Sequence, residues 1–136
     1  MNRNLLILKW SLFAGSLYFL CVSAAHMLGM KLPLLFVYFN VPSYSYQDRI
    51  ISFLAFGWAL FFFTASTDPQ KQSALVKAIL IAGAAAAAGL SAINFTTDFR
   101  TLDPAIQPSI FWVETAGLFL YWLWLVILWL RAAPTA

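Results

Sequence analysis

Residues 110–130 read IFWVETAGLFLYWLWLVILWL, a run from Ile110 to Leu130 whose single charge is Glu114. A helix that crosses a bilayer needs about 20 mostly apolar residues, so this run is long enough to span. Trp112 and Trp129 stand near its ends, about 25 Å apart at 1.5 Å per residue, which matches two interfacial aromatic belts. Three more apolar segments precede it, at about 5–30, 49–65 and 74–94. The chain is therefore expected to be all-α, a four-transmembrane-helix up-and-down bundle, with 1–136 forming a single integral membrane domain.

Composition agrees. Hydrophobic residues make up 62% of the chain and charged residues 10%, against about 25% charged in a soluble domain. Four spans and short connections take up the 136 residues, so function is expected to be built within the bundle or its loops. Cys21 is the one cysteine, so no intrachain disulfide and no C-x-x-C redox pair exists, and a small packing role is expected for it. Residues 1–27 follow the plan of a signal sequence, with Arg3 and Lys9 ahead of an apolar core and the small residues Ser23-Ala24-Ala25. They are read as a kept helix with a signal-anchor role.

The connections carry the local signals. Lys31 and Pro33 are expected to end the first helix. The apolar run 34–39, too short to span, suggests an interfacial segment over about 32–42. Ser45-Tyr46-Gln47-Asp48 fits a capping box, with Asp48 at the positive end of the second helix. Asp68-Pro69 reads as a cap and first residue of the third. Small pairs at Ser11/Gly15 and Ala25/Gly29, and the stretch Ala82-Gly83-Ala84-Ala85-Ala86-Ala87-Ala88-Gly89, predict close helix approach. The third helix is expected at the bundle centre, and Asn94 at its C-terminal end.

Lysine and arginine placement predicts orientation. Arg3, Lys9, Lys71, Lys77 and Arg131 fall on one side; Lys31, Arg49 and Arg100 fall on the other. Both termini should be cytoplasmic, in a plasma (inner) membrane or a thylakoid-type membrane. The pI of about 9.3 then reflects topology, and no basic stripe with interleaved aromatics points to nucleic acid.

The residues able to do chemistry gather at the opposite, outer end. His26 is the only histidine: either a proton-transfer or ligand group facing Glu114 or Asp98, or a helix-end residue bonded to a loop. Glu114 lies in the first turns of the fourth helix, where an acid is either paired inside the bundle, with Arg49, Arg100 or His26, or wetted at the interface. Asp48-Arg49 and Asp98-x-Arg100-x-x-Asp103 give each outer connection both signs, with Asp48 and Asp103 reading as caps. Tyr38, Phe39, Tyr44 and Tyr46 could line a lipid or quinone entrance or anchor the interface. The candidate ligand-binding cluster is His26, Arg49, Arg100 and Glu114. No cofactor is expected: one histidine excludes a bis-histidine haem, and the ligands of a structural zinc site are missing. No hydrolase, metalloprotease or phosphate-loop motif is present, so nothing supports an enzyme as the primary reading.

Asp48-Arg49-Ile50-Ile51 ahead of Gly57, Arg100 and Pro108 before the fourth segment, and Glu114 just inside it resemble the DoxX-like group of small four-helix membrane proteins. The resemblance implies the bundle, and a polar cluster of Arg49, Arg100 and Glu114. That group holds oxidase-associated subunits and assembly factors. Small size, the absence of catalytic motifs and the aromatic-rich outer faces of the second and fourth segments make the leading expectation a non-enzymatic accessory or assembly subunit of a larger membrane complex, with other membrane subunits or a second copy as partners beside the lipid bilayer. The alternative is a binder or enzyme for a small hydrophobic molecule such as a quinone, lipid or isoprenoid. A homo-oligomeric channel is a third.

Overall fold

A computed structural model describes residues 3–132. It is an up-and-down bundle of α1 (Arg3–Leu28), α2 (Ser45–Thr67), α3 (Ser73–Thr96) and α4 (Ser109–Ala132), with one 3₁₀ turn at Phe99–Thr101 and no strand among the described residues. All four α-helices are long and apolar enough to cross a membrane. They stand in a ring in chain order: α1 packs on α2 and α4, and α3 on α2 and α4.

The seams differ in strength. The α1–α2 seam is closed along its length by small polar residues. Ser16 donates to the Ala59 carbonyl at 2.8 Å, Ser52 donates to the Ser23 carbonyl at 2.9 Å, and the two serine hydroxyls lie 3.2 Å apart. In lipid such bonds and close backbone packing hold helices together, because apolarity alone does not. On the α1–α4 seam, Tyr121 donates to the Ser11 carbonyl at 2.7 Å and Trp124 to the Ser11 hydroxyl at 3.0 Å. Gly15 fills its expected role there, since a Cβ would collide with Tyr121 Oη and the Phe62 ring. The α2–α3 seam is the loosest.

The third helix departs from expectation. Only Val76 and Ile79 on it are buried, so it is the rim of the bundle and not its centre. The small residues permit close approach at one point, where Gly83 admits the Trp122 ring and Trp122 donates to the Leu80 carbonyl at 2.7 Å. Elsewhere the neighbouring helices do not move in, because α1 and α2 are already bonded to each other, and the missing side chains leave space.

Helix ends also shift. The first helix stops at Leu28, before Lys31, because Gly29 takes a left-handed φ of 67°. Met30 N–H then bonds the Ala25 carbonyl at 2.8 Å and Gly29 N–H the His26 carbonyl at 3.3 Å, a Schellman motif. The second begins at Ser45 with Tyr44 as its N-cap residue, and Tyr44 N–H donates to Gln47 Oε1 at 3.2 Å. The capping partner is thus Gln47, one residue earlier than expected, and Asp48 is released from the cap. Asp68 does accept from Lys71 N–H at 3.2 Å, but it caps a turn ahead of α3, which starts at Ser73.

The core is split into two plugs. Near the termini Leu8, Leu12, Phe62, Val76, Ile79 and Leu125 pack together; at the other end Phe99, Ile106 and Phe111 form a second cluster under Tyr38 and Val41.

Candidate functional site

Between the plugs lies a cavity of about 550 Å³. Phe62, Ile79 and Leu125 of the first plug floor it; Tyr38 and Val41, which pack on the second, help roof it. Ala82, Gly83, Ala86 and Ala87 of α3 form one wall, with Trp58 and Trp122 beside them. The space therefore exists because the thin face of α3 meets no bulky partner. Its volume falls in the range of drug-sized ligand pockets, roughly 300–1,000 Å³.

The lining is mostly apolar; its polar groups are His26, Asp48 and Ser43 at one end and the hydroxyls of Tyr18, Tyr38 and Tyr121, each of which already donates to a protein acceptor. His26 and Asp48 are both buried, at 6% exposure each. Phe36, carried back over the helix end by the Gly29 reversal, stacks on the imidazole with ring centroids 3.5 Å apart. The nearest carboxylate oxygen, Asp48 Oδ1, is 3.8 Å from His26 Nδ1, beyond hydrogen-bond range, and Nδ1 has no partner. Asp48 is held from its other side: Ser43 donates to the carboxylate at 3.1 and 3.2 Å, and Lys31 Nζ donates to Ser43 at 2.7 Å. The result is a lysine–serine–aspartate chain ending beside a buried imidazole with one unbonded nitrogen.

Glu114 is elsewhere. Its Oε1 accepts from Leu34 N–H at 3.1 Å, and the Leu34 carbonyl accepts from Tyr18 Oη at 2.6 Å. Leu34 sits at a φ of 70°, a left-handed conformation that costs an L-residue roughly 1–2 kcal/mol. The two helices on either side hold it there. Arg49 and Arg100 are exposed, and neither guanidinium makes a hydrogen bond or ion pair among the described residues. No such bond joins any two of His26, Arg49, Arg100 and Glu114 either. Of the four, His26 alone lines the central cavity.

The partner that sequence reasoning missed is Asp48. The signal was a buried-side position in the first turn of α2, masked by a capping pattern that the acid also satisfies. Asp103 does cap locally, accepting from Ala105 N–H at 2.9 Å. Asn94 lies within α3, not at its C-cap, and works as a brace: Oδ1 accepts from Tyr38 Oη at 3.0 Å while Nδ2 donates to Thr115 Oγ1 at 3.0 Å. Tyr38 belongs to the cavity roof, and burial raises its phenol pKa. Tyr44 and Tyr46 stack on each other, exposed. No group of three or more metal-ligating side chains occurs among the described residues.

The fold and composition define a small multi-pass membrane protein. No protein-family model matches the chain, and comparison with curated proteins and with solved structures finds no match.

Proposed function

We propose that the chain binds a small hydrophobic molecule carrying one hydrogen-bonding group, within the membrane. The observation that carries this reading is the central cavity, mostly apolar along α3 and bounded at one end by buried His26 and Asp48. A buried polar atom with no partner costs roughly 1–3 kcal/mol. A ligand hydroxyl or carbonyl at the His26–Asp48 end, with Phe36 moving off the imidazole, would recover that, while its apolar body fills the space along α3. Quinones, sterol-like lipids and isoprenoid alcohols share this plan.

Mass spectrometry of the protein extracted from its native membrane tests it. A retained small molecule is expected in the wild type and lost in Ala86→Phe, which fills the cavity; His26→Ala should retain less. An empty wild-type cavity together with stoichiometric co-purification of larger membrane subunits would replace this reading with the accessory-subunit one.

A further inference from the structure

A second space, of about 670 Å³, opens between α1 and α4. Its walls are apolar, among them Ala14, Leu32, Val113 and Gly117, and Glu114 stands in them. The hydrogen-bond polarity around Glu114 is one-sided. The only hydrogen of Tyr18 Oη goes to the Leu34 carbonyl, and the only backbone hydrogen of Leu34 goes to Glu114 Oε1. What these atoms leave open are acceptors: Glu114 Oε2 and the remaining lone pairs of Tyr18 Oη and Leu34 O. Among the described residues no cation pairs with Glu114 and no donor reaches Oε2. An acid among membrane helices ordinarily has a partner. A ligand that matches these acceptors would bring positive charge and more than one N–H donor, on an apolar body that fits the walls.

We propose that the α1–α4 cleft binds a primary ammonium carried on an apolar chain, with Glu114 as its counter-charge and Tyr18 and Leu34 as further acceptors. The cleft shares Tyr18 and Tyr121 with the wall of the central cavity, but Glu114 and Gly117 line the cleft alone and His26 lines the cavity alone. The ammonium could belong to a single-chain amine or to an aminophospholipid headgroup, and the experiment separates the two.

The chain in phosphatidylcholine nanodiscs at pH 7 is unfolded thermally with dodecylamine, dodecanol or dodecyltrimethylammonium. Dodecylamine is expected to raise Tm with concentration. Dodecanol lacks the charge and the trimethylammonium lacks N–H donors, so each shifts Tm less. Glu114→Gln should weaken dodecylamine at least about tenfold, the loss of one charge-assisted bond. Gly117→Leu should do the same by filling the cleft, and it should fold, since a Cβ there meets nothing within 4 Å. Phosphatidylethanolamine in the disc that itself raises Tm and competes with dodecylamine supports the site with a lipid headgroup as its source; absence of competition supports it with a single-chain amine. The proposal is overturned if dodecanol matches dodecylamine, or if Gly117→Leu and Glu114→Gln both bind like the wild type.

Discussion

The roof of the central cavity hangs on one side-chain bond that can be isolated. Tyr38 Oη donates to Asn94 Oδ1 at 3.0 Å, and its ring packs on Phe99 and Phe111 at centroid distances of 5.3 and 5.0 Å. Tyr38→Phe keeps the ring and deletes the bond. Asn94→Ala deletes that bond and the 3.0 Å bond to Thr115 as well; the 3.5 Å approach to the Phe111 carbonyl is at the limit and adds little. Interhelical hydrogen bonds in membranes average about 0.6 kcal/mol, with a maximum near 1.7. Tyr38→Phe should then cost about 1 kcal/mol and Asn94→Ala about 2, since each bond here joins two well-placed groups. The double variant should cost no more than Asn94→Ala alone, which gives a coupling of about 1 kcal/mol. Reversible unfolding in mixed dodecyl maltoside and dodecyl sulfate micelles measures all four proteins. Additivity within about 0.3 kcal/mol would refute the bond and, with it, the tie between the 29–44 connection and α3.

Gly15→Leu should destabilise by at least about 1–3 kcal/mol by overpacking against Tyr121 and Phe62, while Gly89→Leu, with open space around it, should stay within about 0.5 kcal/mol; the same micelle assay compares them. Leu34→Gly removes a left-handed leucine that is 70% exposed; the relief of about 1–2 kcal/mol exceeds the glycine entropy cost of about 0.5–1, so the variant should be no less stable than wild type. Because burial raises the Tyr38 pKa, the folded state favours the neutral phenol. That contribution is whole below the unfolded value of about 10 and is lost as the pH climbs through the folded value. Stability measured between pH 9 and 11.5 should therefore fall less steeply in Tyr38→Phe.

The four spans were readable because each depends on a property summed over many residues, and no local error moves the sum. The site was readable only in part. Asp48 obeys a capping pattern read from Ser45, and the pattern cannot tell whether the helix begins there or at Tyr44; one residue of difference decides whether the acid faces the helix end or His26. Small residues on α3 carry a similar ambiguity. They permit close packing, but whether a neighbour arrives depends on how strongly the other helices hold one another, and the serine bonds of α1 with α2 are visible only in three dimensions. Arg49 and Arg100 were drawn toward Glu114 by charge, yet the backbone N–H of Leu34 reaches that carboxylate first. No periodicity in the sequence marks a leucine with a left-handed backbone.

The loose α2–α3 seam makes the bundle two hairpins, α1–α2 and α3–α4, which meet along α1–α4 and are linked by the 68–72 connection. Whatever fills the space between them also acts as a mortar for that seam. A molecule bound at a hundred times its dissociation constant adds about 2.7 kcal/mol to stability, comparable to several of the interhelical bonds described above. Preparations that differ in how thoroughly they strip bound lipid should consequently behave as proteins of different ruggedness, although their polypeptide is the same.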